Sequence, residues 1–313
     1  MQGTGLAADA RVRKHDAGPG HPERPARYGA IMDRLEEAGL TQEVFHLEAR
    51  SAADDELALV HSRDYIALVE REAAQGRRQL STGDADIREA SPEAARIAAG
   101  AVLSAVDAVF GREVNNAFCV ARPPGHHASA AIGMGFCLFN NVAVGARYAQ
   151  QRHGAERVLI ADWDVHHGNG TQNIFYRDGS VLFFSTHQSP WYPGTGAAFE
   201  RGEGEGEGKT INCPFPAGAG RREILGAFEQ VLLPAAEEFH PDLVMISAGF
   251  DSRAGDPLGQ FLLTDEDFAE LTRMLMDVAA RECEGRVVSV LEGGYNLDGL
   301  ARAAEAHMRA LLR

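Results

Sequence analysis

Asp-Trp-Asp-Val-His-His-Gly-Asn-Gly at 162–170 directly follows the apolar run Val-Leu-Ile-Ala at 158–161. A continuous apolar run of this length predicts a β-strand that is covered on both faces, as in a parallel sheet. Alternate side chains of an extended segment point the same way, so Asp164 and His166 can face one point. The stretch therefore predicts a buried parallel strand that ends in residue types able to bind a metal ion.

Similar apolar runs alternate with longer helical patterns along the rest of the chain. The predicted strands lie at 117–121, 158–162, 181–186, 243–248 and 287–291. The predicted helices lie at 24–38, 64–75, 92–110, 139–152, 222–239, 265–282 and 298–312. This alternation predicts a three-layer α/β/α fold with a central, mainly parallel sheet. A length of 313 residues needs no second domain, so we expect a single domain over 1–313.

Polar and ionisable residues follow four of these predicted strands. In an open α/β sheet, ligands bind beyond the carboxyl ends of the strands. Four separate strands would therefore bring such groups to one edge of the sheet. The segments are Arg122–His127, Asp162–His167, Gly249–Asp251 and Glu292–Tyr295.

Asp164, His166 and Asp251 are candidate metal ligands. Three protein ligands with an open coordination position are typical of catalytic Zn²⁺ sites, whereas structural sites have four. The same oxygen-rich set also suits Fe²⁺ or Co²⁺. An isolated Asp-x-His pair would favour a capped strand end with a satisfied histidine instead. Asp251 and the two His-His pairs of the chain favour the metal site.

His126 and His127 are candidates for proton transfer, because one metal ion does not need so many ligands. A catalytic metal ion lowers the pKa of a water molecule, and a neighbouring imidazole can accept its proton. Asp162 and Asn169 are candidates to fix the tautomers of these imidazoles through the second ring nitrogen. His167 is then expected to pack or to form hydrogen bonds nearby, without a chemical role.

Tyr295 follows Gly293 and Gly294, two glycines that let the backbone approach the metal closely. Its phenol could donate a hydrogen bond to a developing oxyanion. Outside this context, Gly-Gly-Tyr predicts only a turn. Glu292 could hold the loop in place.

Composition restricts the partners and the compartment. The formal net charge of −15 argues against a nucleic-acid-binding surface. It suits a cationic substrate, or simply an acidic surface that favours solubility. No apolar run is long enough for a membrane span, and residues 1–14 lack the apolar region of a secretory signal. Four cysteines without Cys-x-x-Cys spacing predict reduced thiols in a cytoplasmic protein; they are Cys119, Cys137, Cys213 and Cys283.

Six motifs together resemble the zinc-dependent histone deacetylase family. The chain is most similar to bacterial class II-like members and to acetylpolyamine amidohydrolases, from 20–25 to the C-terminal helix. Each motif alone is moderately specific, and the combination is highly specific. The motifs are Arg-Pro-Pro-Gly-His-His-Ala (122–128), Gly-Phe-Cys-Leu-Phe-Asn-Asn (135–141), Asp-Trp-Asp-Val-His-His-Gly-Asn-Gly-Thr (162–171), Pro-Gly-Thr-Gly (193–196), Ser-Ala-Gly-Phe-Asp (247–251) and Glu-Gly-Gly-Tyr (292–295).

The resemblance implies the arginase/deacetylase α/β fold, with Zn²⁺ on the three candidate metal ligands. It implies that His126 pairs with Asp162 and that His127 pairs with Asn169. Tyr295 would polarise the amide carbonyl of the substrate. Asn169 stands where class I enzymes have an aspartate, which supports class II affinity.

The resemblance also implies structural potassium and a substrate tunnel. One K⁺ site would use Asp162, Asp164 and the backbone carbonyls of His166, Ser185 and Thr186, and a second would lie near Phe175, Asp178 and Val181. The residues implied for substrate binding are Gly135, Phe136 and Tyr192 in the tunnel wall, Asp84 at the rim and Arg27 deep in the pocket, near the product acetate. Tyr192 stands where phenylalanine is common in the family.

The expected reaction is hydrolysis of an acylated amine, first of all N-acetylated lysine in proteins or peptides. Acetylpolyamine hydrolysis is the alternative, although the segment at 76–92 is short for the insertion that such enzymes use to narrow the entrance by dimerisation. An arginase-like dimanganese ureohydrolase would need extra aspartates where Gly168 and Gly249 stand. A non-catalytic acyl-amine-binding protein is the third alternative. The sequence leaves open whether the chain forms a homo-oligomer.

Overall fold

A sheet of eight strands, in which every adjacent pair is parallel, forms the centre of residues 3–313, the part of the chain that the computed structural model describes. The strands are β1 (Gly3–Ala7), β2 (Phe45–Leu47), β3 (Val114–Cys119), β4 (Val158–Asp162), β5 (Val181–Gln188), β6 (Thr210–Phe215), β7 (Leu243–Ala248) and β8 (Val287–Leu291). Their order across the sheet is β2-β1-β3-β8-β7-β4-β5-β6. The predicted α/β fold with a parallel sheet is confirmed.

Helices connect these strands. They are α1 (Ala26–Glu37), α2 (Asp54–Leu57), α3 (Arg63–Ala74), α4 (Ser91–Phe110), α5 (Asn141–His153), α6 (Asn169–Phe175), α7 (Arg221–Ala227), α8 (Leu233–Phe239), α9 (Asp265–Glu282) and α10 (Leu297–Leu311). The predicted helix at 222–239 is interrupted by a π-helical turn at Phe228–Leu232. Pro234 explains the interruption, because it lacks the N–H that a continuous α-helix would use and its ring crowds the preceding turn.

Strands β4, β7 and β8 have the predicted bounds, whereas β3 begins and ends earlier than predicted. Every residue of these three strands is buried, which explains why their sequences are almost continuously apolar. Strands β1, β2 and β6 were not predicted. Glycines interrupt the apolar pattern of β1, and a Cβ at Gly5 would lie 2.6 Å from Leu47 Cδ1 of the neighbouring strand. Strand β2 is short and largely exposed.

Polar capping residues fix the elements that follow the strand ends. Asn140 precedes α5 and accepts a hydrogen bond from the Ala143 N–H at 3.0 Å. Asn296 precedes α10 in the same way and accepts from the Gly299 N–H at 3.1 Å. Tyr295 therefore directly precedes the capping residue of α10. None of the helices in residues 3–313 is both long enough and apolar enough to cross a lipid bilayer.

Candidate active site

Four neighbouring strands deliver the candidate residues to one edge of the sheet. Strands β3, β8, β7 and β4 lie side by side in the centre of the sheet. Each is followed by one of the polar segments singled out in the sequence. The sequence prediction that these segments meet at one edge is therefore correct.

Asp164, His166 and Asp251 converge, with ligand atoms that all lie within 4.8 Å of one another. His166 Nδ1 is 3.0 Å from Asp164 Oδ1 and 3.2 Å from Asp251 Oδ2. Burial alone would lower the pKa of His166, but the two carboxylates outweigh it and raise that pKa to about 10. Three lone-pair-bearing atoms that face one another need a proton or a metal cation between them.

Asp251 supports the fit of a cation at this point. Its buried Oδ2 atom lies 3.2 Å from His166 Nδ1 but has no well-aligned hydrogen-bond donor among the described residues, while its Oδ1 accepts a hydrogen bond from the Val165 N–H at 2.9 Å. Burial, and next the charge of Asp164, raise the pKa of Asp251 to about 7. A buried carboxylate oxygen without a donor is costly unless a cation or a proton neutralises it. One imidazole and two carboxylates form a donor set that suits Zn²⁺.

The two imidazoles at the end of β3 have different partners. His126 Nδ1 lies 2.9 Å from Asp162 Oδ2, and His127 Nδ1 lies 2.7 Å from Asn169 Oδ1. The Asn169 side chain donates its N–H to the Met134 sulfur at 3.4 Å, which leaves its oxygen to accept from His127. The His127 proton is thus placed on Nδ1, and Nε2 keeps a free lone pair.

The two rings also differ in charge. Burial would lower the pKa of His126, but Asp164 and Asp162 raise it to about 10. Burial, together with the charges of His126 and His166, holds the pKa of His127 well below its ordinary value. His127 is therefore a neutral imidazole that can accept a proton at Nε2.

Glu292 connects the loops after β8 and β3. Its Oε2 atom accepts hydrogen bonds from the Gly125 N–H at 2.6 Å and from the His126 N–H at 3.1 Å. The loop after β8 also contacts the candidate metal ligands, since the Gly293 N–H donates to Asp164 Oδ2 at 2.8 Å. A Cβ at Gly293 would lie 2.0 Å from Asp251 Oδ2, so only glycine permits this approach.

A cavity of about 240 Å³ opens from the candidate metal ligands to the surface. Its inner end, here called the cavity base, consists of His127, His166 and Tyr295 together with Asp164 and Asp251 behind them. Its outer end, here called the cavity mouth, consists of Asp84, Trp191, Tyr192 and Leu258. Gly135 and Phe136 complete the wall between the two ends. The ring of Phe136 lies 5.8 Å from that of Tyr295, and the ring of Tyr192 lies 5.3 Å from that of His127.

Asp84 and Tyr192 contact each other across the cavity mouth. The Tyr192 hydroxyl donates to Asp84 Oδ2 at 3.0 Å, and the Gly135 N–H donates to Asp84 Oδ1 at 2.8 Å. Burial and the neighbouring Asp84 raise the pKa of Tyr192 above its ordinary value. The hydroxyl therefore remains a donor. The family resemblance implied that both residues lie near the substrate, but it did not imply this hydrogen bond.

Arg27 does not line the cavity but lies fully buried behind Tyr295. Its guanidinium is 4.9 Å from the centre of the Tyr295 ring. It donates to the backbone carbonyls of Gly294 at 2.7 Å and Glu292 at 2.5 Å. In this structure, Arg27 holds the loop that carries Tyr295.

The segments implied for potassium lie on neighbouring strands. Asp162 of β4 is paired in register with Ser185 of β5. The Asp178 carboxylate already accepts hydrogen bonds from the N–H and hydroxyl of Ser180, at 2.7 and 2.6 Å, and pairs with Arg147. A cation near Asp178 would therefore depend mainly on backbone carbonyls.

His167 points away from the candidate metal ligands. Its Nδ1 lies 2.8 Å from the Thr195 hydroxyl, and its Nε2 lies 2.9 Å from Gln172 Oε1. Both ring nitrogens are thus occupied, which agrees with the absence of a predicted chemical role.

Sequence reasoning missed several residues that support the site. Trp191 and Leu258 line the cavity mouth, although neither follows a predicted strand directly. The buried ion pair of 2.5 Å between Glu23 and Arg122 beneath the site was also not predicted, although Arg122 belongs to one of the predicted polar segments. Asp256 binds backbone N–H groups, including that of Tyr295. A pattern of side-chain types does not reveal contacts to the backbone, although the family resemblance begins at 20–25, the segment that contains Glu23.

Comparisons with known proteins agree with the geometry. A family model described as the histone deacetylase domain matches residues 21–311. A protein named probable deacetylase from Archaeoglobus fulgidus is 41% identical over 298 residues, which cover 95% of this chain and 82% of the relative. Polyamine deacetylase HDAC10 from Homo sapiens is 45% identical, and the match covers 93% of this chain but only 44% of that protein. The crystal structure of the HDA15 HD domain superimposes with a TM-score of 0.94 at 42% identity and covers 100% of this chain and 90% of that one.

Proposed function

Because this chain belongs to the histone deacetylase family, we propose that it hydrolyses the amide of N-acetylated lysine in proteins or peptides to the free amine and acetate. The observation that carries the proposal is the convergence of Asp164, His166 and Asp251 at the base of a cavity that His127 and Tyr295 also line. The first three residues suit a Lewis-acidic metal, His127 can accept a proton, and Tyr295 can donate a hydrogen bond.

Asp164, His166 and Asp251 would hold a Zn²⁺ ion. When bound, the ion would polarise the amide carbonyl and lower the pKa of a water molecule. Two observations support this assignment: Asp251 Oδ2 has no well-aligned hydrogen-bond donor, and His166 Nδ1 faces both carboxylates. Fe²⁺ or Co²⁺ would suit the same donors.

The chain's own residues supply the proton transfers. His127, neutral and protonated at Nδ1 by its bond to Asn169, would accept a proton at Nε2 from the attacking water. Its imidazolium form would then protonate the leaving amine. His126, held by Asp162, would stabilise the site electrostatically beside it. The Tyr295 phenol would donate a hydrogen bond to the oxygen of the former carbonyl.

The cavity favours an acyl-lysine over an acylated polyamine. The groups along its wall and mouth are mainly aromatic or aliphatic, as suits the methylene chain of a lysine. Of the residues at the mouth, only Asp84 is acidic, and its carboxylate already accepts hydrogen bonds from Tyr192 and Gly135. A second ammonium group of a polyamine would therefore find a single carboxylate there, whose oxygens are already engaged by two neutral donors. Acetylpolyamines remain the second candidate, since one relative is named a polyamine deacetylase.

Two glycines argue against a dimanganese ureohydrolase. A Cβ at Gly168 would lie 2.3 Å from Asp162 Oδ2, and a Cβ at Gly249 would lie 2.1 Å from Asp164 Oδ2. The carboxylates that a second metal would require at these positions do not fit beside the present ones. This chain thus suits a single catalytic metal.

Asp162, Asp164 and the carbonyls of His166, Ser185 and Thr186 would hold a structural K⁺ ion. The registered pairing of β4 with β5 supports this, because it brings Asp162 beside Ser185. We further propose a cytoplasmic location, for which the four free cysteines are the support.

A comparison of kcat/KM tests the substrate. Zinc-loaded protein would be assayed in parallel with an acetyl-lysine peptide, acetylputrescine and acetylspermidine. We expect the peptide to give the highest kcat/KM and a chelator to abolish all turnover. A higher kcat/KM for an acetylpolyamine would instead support acetylpolyamine hydrolysis as the function. Turnover that resists the chelator would contradict the metal assignment.

A further inference from the structure

The loop that carries Tyr295 needs external support. Tyr295 follows two glycines, and Gly294 has φ +121°, a conformation that other residues rarely adopt. Glycine also makes the unrestrained backbone more mobile. A hydrogen-bond donor for the reaction must nevertheless be held close to its productive position.

Groups of opposite charge hold this loop on its two sides. On one side, the Arg27 guanidinium donates hydrogen bonds to the backbone carbonyls of Glu292 and Gly294. On the other side, Asp256 Oδ2 accepts hydrogen bonds from the backbone N–H groups of Tyr295 at 2.7 Å and Asn296 at 3.0 Å. Hydrogen bonds to an ionised carboxylate are stronger than those between neutral groups.

The same carboxylate reaches the opposite end of the cavity. Asp256 Oδ1 accepts from the Leu258 N–H at 2.9 Å, and Leu258 lines the cavity mouth. Asp256 itself is 8% exposed and does not line the cavity. Its three hydrogen bonds therefore connect a residue of the cavity base with one of the cavity mouth.

We propose that Asp256 is a positioning residue for the reaction, which acts by fixing the Tyr295 phenol where the oxyanion forms. The inference rests on the proposed deacetylase function. Substitution of Asp256 should therefore lower kcat, because the phenol matters most when negative charge develops on the oxygen of the former carbonyl.

Asp256→Asn is the informative substitution, because it conserves shape and removes half of the acceptor capacity. An amide offers one oxygen, and its NH₂ group would face a backbone N–H, so one side of the support is lost. We expect kcat to fall about 10-fold in Asp256→Asn, and about 100-fold in Asp256→Ala, since a displacement near 1 Å can cost 10²-fold. KM for an acetyl-lysine peptide should change less than kcat.

A double-mutant cycle with Tyr295→Phe distinguishes positioning from a general structural effect. If Asp256 acts through the phenol, Asp256→Asn should lower kcat no more than about 2-fold in the Tyr295→Phe background. Equal losses in both backgrounds, or no loss in the wild-type background, would overturn the proposal. Wild-type turnover is the baseline of the cycle, so an inactive wild-type protein would instead contradict the proposed function.

Asp242→Asn is the matched control. Asp242 Oδ2 also accepts two backbone N–H groups, from Glu156 at 2.9 Å and Arg157 at 2.8 Å, but it lies away from the cavity. This variant should keep kcat. A readout independent of turnover is hydrogen exchange of the peptide that covers 293–297, which should accelerate in Asp256→Asn and not in Asp242→Asn. Unchanged exchange in Asp256→Asn would also overturn the proposal.

Discussion

At the cavity base, Asp164 and Asp251 are fully buried at the ends of central strands, whereas at the cavity mouth Trp191 and Tyr192 are 36% and 37% exposed. Each group of the base has at least one partner from another strand end, such as Asn169 for His127 or Gly293 for Asp164. At the mouth, hydrogen bonds of partly exposed side chains join the loops, from Tyr192 to Asp84 and from the Trp191 indole N–H to the Leu258 carbonyl. The difference indicates that the base sets the chemistry and that the mouth adjusts substrate affinity.

The largest effect is expected for Asp251→Ala at the cavity base. The variant should lose Zn²⁺ binding and lower kcat by more than the ~100-fold that loss of an outer partner of a metal typically costs. Metal content per chain and turnover of an acetyl-lysine peptide would be measured together. Asp277→Asn, which changes an exposed carboxylate on α9, is the control and should retain both. A fully active, metal-free Asp251→Ala protein would contradict the claim that the cavity base sets the chemistry.

Tyr295→Phe should have the next largest effect. It removes only the phenol hydroxyl, so we expect kcat to fall about 10²–10³-fold, as for the loss of one oxyanion donor. KM should change little, because the ring still lines the cavity. Tyr148→Phe, which removes a hydroxyl bound to Asp107 at the surface, should leave kcat unchanged. Retention of full activity by Tyr295→Phe would assign the oxyanion donor elsewhere.

Glu23→Gln tests the buried support beneath the base through stability. Glu23 accepts from Arg122 at 2.5 Å and from Arg27 at 3.1 Å, and all three residues are buried. Breaking one partner of a buried ion pair should lower the free energy of unfolding by about 3–5 kcal/mol. Urea denaturation would measure the loss, with Glu229→Gln on the exposed surface as the control.

The same ion pair predicts an acid dependence of stability. Burial would raise the pKa of Glu23, but Arg122 and His15 hold it well below its ordinary value of 4.5. A carboxyl whose pKa is lower in the folded state stabilises the fold above its unfolded pKa and loses this contribution as the pH falls. Wild-type stability should therefore decrease below about pH 4.5, and Glu23→Gln should show a shallower decrease. Parallel curves for the two proteins would exclude Glu23 as the cause.

Tyr192→Phe at the cavity mouth should have the smallest effect. Without the hydroxyl, Asp84 keeps only the bond from Gly135, so its carboxylate is less well fixed. We expect KM for an acetyl-lysine peptide to rise about 2–10-fold, the equivalent of one net hydrogen bond, with kcat nearly unchanged. A short N-acetylated alkylamine that does not reach the mouth should show no change. A larger effect on kcat than on KM would place Tyr192 in the chemistry of the base.

The sequence predicted the cavity base better than its mouth. Residues of the base follow buried parallel strands, whose continuous apolar runs mark where β4, β7 and β8 end. Trp191 and Leu258 lie on long connections, and such segments carry no periodicity that places them in space. The bond between Tyr192 and Asp84 joins residues 108 positions apart, which local patterns cannot reveal.

Supports that depend on the backbone were also missed. Asp256 acts on N–H groups, which every residue type except proline provides, so its partners leave no sequence signal. Arg27 was placed near the product by resemblance, but its contacts are the carbonyls behind Tyr295. Metal coordination and the roles of the imidazoles stay predictions, supported by the geometry of Asp164, His166 and Asp251.

Metal reconstitution tests the central claim most directly. Protein stripped with a chelator would be titrated with Zn²⁺ while metal binding and acetyl-lysine peptide hydrolysis are recorded on the same samples. We predict that activity returns in proportion to binding and saturates at one catalytic Zn²⁺ per chain, and that Asp251→Ala shows neither. Hydrolysis by the stripped protein at the full rate, or a requirement for two metal ions, would contradict the account.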